Sequence, residues 1–143
     1  MPALLGLDFG EKRIGVAVTD EGCSIAIPLT TLPFVSRASL LIELLKLIEI
    51  HQVDKIVVGL PKKLDGTIGI AAEKTGKHAQ WLREHLPIPV VEWDERMTTQ
   101  EIARILLAAD MSRARRKEVR DKLAAQRILH SYLEAVHHRQ TPE

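Results

Sequence analysis

Acidic residues at three places in this chain stand where strand and helix patterning would not put them: Asp8, the pair Asp94 and Glu95, and Asp121. Asp8 follows the apolar run Leu4, Leu5, Gly6, Leu7, and on a period of two it shares a face with Leu4 and Gly6 rather than with Leu5, Leu7 and Phe9. Asp94 and Glu95 close a second apolar run, just ahead of Thr98, which with Glu101 makes a helix capping box. Counting along a helix from Asp121 reaches Ala124, Ala125, Ile128, Leu129 and Tyr132, so this acid lies on an apolar stripe. Plain structural readings exist for the first two, because Asp is common where strands turn and acids near a helix start complement its dipole. An acid facing a core is different, since it must be paired or hydrogen-bonded.

The residues around these acids are small. Gly6, Gly15 and Ala17 on the strands and Ala124 and Ala125 on the helix allow a close approach that brings Asp121 towards Asp8. Two carboxylates about 4 Å apart repel by about 4 kcal/mol at an effective dielectric of about 20. An arginine is one partner that relieves this, and a hard divalent cation is the other. Magnesium and manganese take carboxylate and water oxygens and are commonly shared with substrate phosphates, which makes Asp8 a candidate metal ligand.

The elements that must position these residues follow from periodicity. Short apolar or alternating runs predict strands over residues 4–9, 13–19, 25–31, 55–60 and 89–93, the first three forming an antiparallel meander. Helical spacing appears over 39–50, with Leu41, Leu44, Leu45 and Ile48 as the apolar stripe, and over 70–86, which Pro87 stops. A helix opens at Thr98, and a last one runs from about 117 to 137. Residues 62–69, with Asp65-Gly66-Thr67, have turn composition and read as a mobile loop. The order is βββαβαβα with one further helix, an α/β fold with a mixed sheet.

Composition bounds the partners. With 143 residues the chain fits one domain spanning 1–143, and a net charge of +1 declares no global field for nucleic acid or membrane. The single Cys23 suits a reducing cytosol and lacks the basic neighbours of a nucleophile. No run is long and apolar enough for a membrane span, and Asp8 interrupts the start too early for a signal peptide, so a soluble cytoplasmic protein is expected. The six histidines have no zinc spacing, His137 and His138 read as solvated, and Trp81 and Trp93 as packing residues.

Four ordered segments, "GLDFGEKRIGVAVTD", "IVVGLPKKLDGT", "DERMTTQEIA" and "RDKLAAQRILHSYL", together resemble the YqgF (RuvX) family along nearly the whole chain. Its members are described as nucleases of precursor 16S ribosomal RNA and as Holliday junction resolvases. The resemblance implies a ribonuclease-H-like fold, a five-stranded mixed sheet of three antiparallel then two parallel strands flanked by helices. It also implies magnesium- or manganese-dependent phosphodiester hydrolysis, with the acidic site at Asp8, Glu95 and Asp121. The related RuvC resolvases carry an acid at the end of the fourth strand, where this chain has "GLPKK"; Glu95 then stands in for it, or Asp94 if the register differs by one.

Basic residues gather beside the same motifs. Residues 112–122 hold Arg113, Arg115, Arg116, Lys117, Arg120 and Lys122 against two acids, a local footprint for phosphates. Lys12, Arg13, Lys62, Lys63 and Arg96 extend it from the other three motifs. The partner expected is ribosomal precursor RNA, with structured DNA as the alternative, acted on by a monomer or weak homodimer. Two other classes compete. Asp-Phe-Gly before a hairpin also resembles the phosphate-binding strand of actin-like and sugar-kinase ATPases, which need a second lobe, and a catalytically silent RNA-binding module would not need the three acids.

Overall fold

The computed structural model describes residues 3–20, 22–61, 69–94 and 113–140, with the side chains of the last segment described over 121–136. Its elements are strands β1 (Ala3–Phe9), β2 (Arg13–Thr19) and β3 (Ala26–Pro33), helix α1 (Arg37–His51), strand β4 (Val53–Leu60), helix α2 (Ile70–His85), strand β5 (Val90–Asp94) and helix α3 (Arg113–Gln140). The expected loop over 62–69, except for Gly69, and the expected helix opening at Thr98 lie outside the described residues.

The five strands form one sheet in the order β3-β2-β1-β4-β5. Strands β1, β2 and β3 are antiparallel neighbours, while β1–β4 and β4–β5 pair in parallel. This is the mixed sheet predicted, and it arises because tight turns link the first three strands while α1 and α2 carry the chain across to parallel partners.

Alternation divides the sheet into two faces. Leu5, Leu7, Ile14, Val16, Val18, Ile56, Val58 and Val90 form one core with Leu40 and Leu44 of α1 and Ala79 and Leu82 of α2. Ala17, Ala26 and Val57 form the other with Ala125, Ile128, Leu129 and Leu133 of α3, joined by Leu4, Val91, Trp93 and Tyr132. Helix α3 therefore lies alone among the described helices on the face that Asp8 shares with Leu4 and Gly6.

Several boundaries differ from expectation, and β4 for one begins at Val53 rather than at 55. Helix α1 begins at Arg37 because Ser36 caps it, its Oγ accepting from the Ser39 amide at 3.1 Å while Ser39 Oγ accepts from the Ser36 amide at 3.3 Å. Its buried residues are Leu40 and Leu44, and Leu45 is exposed; apolar residues nearly all round this helix leave the stripe undefined by spacing alone. Helix α3 starts at Arg113 rather than near 117, taking the basic run into the helix, as Arg, Ala, Lys and Glu are all good helix formers. Strand β3 runs on through Pro33, a residue tolerated there because β3 is a sheet edge.

Candidate functional site

The site is built on the last residues of β1. Asp8 pairs directly across the antiparallel ladder with Gly15, so the two residues face the same side of the sheet. That side meets α3 at backbone distance: a methyl group on Gly15 would fall inside the carbonyl group of Asp121 and 2.9 Å from the Lys122 nitrogen. One step down β1, a methyl on Gly6 would lie 2.9 Å from Leu129 Cβ and 3.1 Å from the Ala125 carbonyl oxygen. Directly opposed Cβ positions in such a ladder are about 5 Å apart, which sets Asp8 next to the turn of α3 that carries Asp121. Gly6 and Gly15 thus let α3 seat against β1 and β2 at backbone distance, the close approach that their pattern predicts.

Arg13 stands on the same face of β2, two residues from Gly15, and its Nε is 3.9 Å from Asp121 Oδ2. Side-chain exposures of 31% for Arg13 and 17% for Asp121 leave this long pair open to water. It stabilises by at most about 1 kcal/mol, so its main effect is to place a guanidinium at the acidic centre. Lys12, in the β1–β2 turn, is exposed, and its carbonyl accepts from the Phe34 amide at 2.9 Å.

At the other side of β1, parity separates Asp94 from Asp8. Val91 and Trp93 pack towards α3, whereas Glu92 meets α2, its Oε1 lying 3.4 Å from Arg83 Nη2. Arg83 Nε also donates to the Val90 carbonyl at 2.8 Å, fastening α2 to β5. Asp94 follows Glu92 by two residues and so belongs to the α2 face. Its strand nevertheless ends at the same edge of the sheet as β1, since Leu7 pairs with Val58, and Gly59 with Trp93. Two strand spacings put that end about 10 Å from Asp8.

Glu95, Arg96, Lys62 and Lys63 lie outside the described residues. Arg113, Arg115, Arg116, Lys117 and Arg120 lie on α3 within its first two turns or so before Asp121, their side chains outside the described set. Among the described residues no three acidic, histidine or cysteine side chains cluster together. The donor chemistry of Asp8 and Asp121 nonetheless fits a hard divalent cation, which takes oxygen ligands and removes the repulsion between them. Among the described residues no helix is long and apolar enough to cross a membrane.

Both tryptophans pack, as expected. Trp81 stacks on His85 with centroids 3.9 Å apart, and Trp93 meets Tyr132 edge-on at 5.4 Å while its Nε1 donates to Ser131 Oγ at 3.0 Å. Sequence reasoning missed a cluster of Phe9, Phe34, Arg37 and His78 on the opposite face from Asp8. Its members come from four segments of the chain, and no spacing links them.

Comparison with known proteins gives a consistent result. The sequence profile described as "RuvX: Holliday junction resolvase" matches residues 2–135. A protein of Caldanaerobacter subterraneus named "Putative pre-16S rRNA nuclease" is 48% identical over 136 residues, covering 92% of this chain and 96% of its own. One of the same name from Desulforudis audaxviator is 45% identical over 130 residues, covering 91% and 92%. Among solved structures, T. thermophilus RuvC in complex with a Holliday junction substrate superposes with TM-score 0.54 at 14% identity, covering 96% of each chain. Fowlpox virus resolvase in its junction complex gives 0.56 at 10% identity, covering 94% and 98%. At such identities the likeness speaks to the fold, which is the ribonuclease-H-like one.

Proposed function

The chain belongs to the RuvX family, and from that premise we propose that it is a metal-dependent nuclease that hydrolyses phosphodiester bonds at the 5′ end of precursor 16S ribosomal RNA. The observation that supports this reading is the close approach of Gly15, the ladder partner of Asp8, to the Asp121 backbone. Asp8 and Asp121 would hold the ion, with Glu95 as third ligand. The turning of Asp94 to the α2 face, away from Gly15 and α3, counts against Asp94 in that role. Bound there, magnesium or manganese supplies an activated water and charge stabilisation for an in-line displacement at phosphorus.

The chain's own residues do the rest. Asp8 is the central carboxylate, shared between the sheet and α3. Arg13 offsets part of the negative charge around Asp121 and offers its remaining donors to a phosphate oxygen. Arg113, Arg115, Arg116, Lys117 and Arg120 precede Asp121 on one helix, whose rise of about 1.5 Å per residue keeps them within roughly 12 Å of it along the axis. They hold the nucleic-acid backbone, with Lys12, Lys62, Lys63 and Arg96 adding charge from the other three motifs. The protein acts as a single cytoplasmic domain, monomeric or weakly dimeric.

Junction resolution is the second reading, favoured by the description of the matching profile. Symmetric cutting needs two active sites at a fixed separation, normally across a two-fold interface. The test is competition at equal concentration between precursor-end RNA and four-way junction DNA, with magnesium or manganese and with product ends mapped. Cleavage of the RNA that chelation abolishes is the expected result. Paired symmetric nicks in the junction with the RNA intact would overturn it.

A further inference from the structure

Behind the strand that carries Asp8, on the face turned away from α3, four side chains from separate segments close on one another. Phe9, the residue after Asp8, stacks on the His78 ring of α2 with centroids 5.1 Å apart and planes 13° from parallel. Phe34, between β3 and α1, meets both rings edge-on, at 5.8 Å from Phe9 and 4.9 Å from His78. Arg37 Nε, in the first turn of α1, donates to His78 Nδ1 at 3.1 Å. Arginine is a donor only, so Nδ1 accepts, and His78 is a neutral imidazole with its proton on Nε2. The amide of Phe34 also donates to the Lys12 carbonyl, which ties the cluster to the β1–β2 turn and so to the start of β2, where Arg13 reaches Asp121.

We propose that His78 is a positioning residue for the carboxylate centre, a neutral clamp that holds Phe9 against Arg37 and thereby fixes the end of β1 that bears Asp8. Its effect on cleavage rests on the nuclease reading; its effect on the strand end does not. The geometry explains why a histidine serves here. A phenylalanine would keep the stack but could not accept from Arg37, and an asparagine could accept but has no ring to lie on Phe9. At this end of the sheet β1, α1 and α2 meet at this side chain, with Phe34 beside it.

The clamp is also open to protons. The charged groups facing His78 are Arg37 from α1 and Lys74 from α2 itself, while β1 and the β3–α1 connection present the uncharged rings of Phe9 and Phe34. Burial first, then the charges of Arg37 and Lys74, hold the His78 pKa below its ordinary 6.5. Protonation removes the acceptor lone pair and sets an imidazolium against a guanidinium. In the unfolded chain the imidazole titrates near its ordinary value, so below that pH the unfolded state binds more protons. The stability the clamp contributes is whole above about pH 6.5 and is lost as pH falls from there through the lower folded value.

The experiment compares the wild-type chain with His78→Phe, His78→Asn and His78→Ala. Thermal midpoints between pH 5 and pH 8 without metal should fall on the acid side for wild type and lose that fall in His78→Phe. Manganese affinity, titrated with the metal alone, and cleavage of a precursor-end RNA should both weaken in His78→Ala. A decrease of roughly 10-fold in metal affinity and in kcat, the low end for loss of a supporting partner, is expected, with KM for RNA nearly unchanged. His78→Phe and His78→Asn should each restore part of it at pH 8. The proposal is overturned if His78→Phe keeps the wild-type pH dependence of stability, or if folded His78→Ala binds manganese as wild type does. Wild-type protein that binds manganese but cuts neither the RNA nor four-way junction DNA would sink the nuclease reading alone, and the midpoints and metal titration would still decide the role of His78.

Discussion

Gly15 lies so close to the carbonyl group of Asp121 that no methyl group fits between them. The contact is backbone to backbone, so neither partner can swing aside as a long side chain would. It is what lets α3 settle onto β2 at the level of Asp8, and the position of Asp121 depends on it.

A substitution of Gly15→Ala must therefore shift the helix. Overpacking of this kind costs typically about 1–3 kcal/mol, and a clash with backbone belongs at the upper end. For a chain of this size that is a fall in melting midpoint of very roughly 10 °C. Manganese affinity should weaken with it, because Asp121 moves away from Asp8. Gly6→Ala, which presses partly on the Leu129 side chain, should be milder in the same melt.

Replacing Asp8 or Asp121 by asparagine keeps shape and removes charge. Each variant should remain folded by circular dichroism and lose metal-dependent cleavage by more than the roughly 10–100-fold that loss of an outer partner costs a metal site. Asp121→Asn also removes carboxylate repulsion at the cost of a weak, solvent-open pair with Arg13. Its metal-free midpoint should match or exceed that of wild type, and a clear fall would count against the two acids repelling one another.

Neutralising Arg115, Arg116 and Arg120 together should weaken nucleic-acid binding whatever the sequence. On single-stranded RNA each lost phosphate contact lowers the slope of log K against log salt by about 0.7, so three lower it by about 2. A filter-binding series across salt concentrations reads this directly, and an unchanged slope would place the binding face elsewhere.

The β2–β3 turn gives a prediction at acid pH. Asp20 Oδ1 accepts from the Ser24 amide at 2.7 Å and from the Ile25 amide at 3.1 Å. The Ile25 and Ser24 amides hold its carboxyl below the usual value of 3.8. Since the folded pKa is depressed, the contribution is present above pH 3.8 and fades as pH falls through the folded value. The difference in melting midpoint between wild type and Asp20→Ala should therefore shrink on acidification, and a constant difference would rule the charge out as its cause.

The strands were legible because their signals are local. Alternation in Arg13–Thr19 assigns Ile14, Val16 and Val18 to one face and Gly15 and Ala17 to the other, and the sheet keeps that division. The stripe that includes Ala124, Ala125, Ile128 and Leu129 likewise names the buried side of α3 and the place of Asp121 on it. Where the local signal is degenerate, folding decides. Helix α1 is apolar nearly all round, so only docking on β4 and α2 selects Leu40 and Leu44 over Leu45. The face on which Asp94 stands follows from which side of β5 meets α2, and that rests on the Glu92–Arg83 pair. Arg13 beside Asp121 and His78 beneath Phe9 join residues far apart in the chain. No period or spacing records such meetings, because they depend on the order of strands in the sheet and on which face each helix crosses.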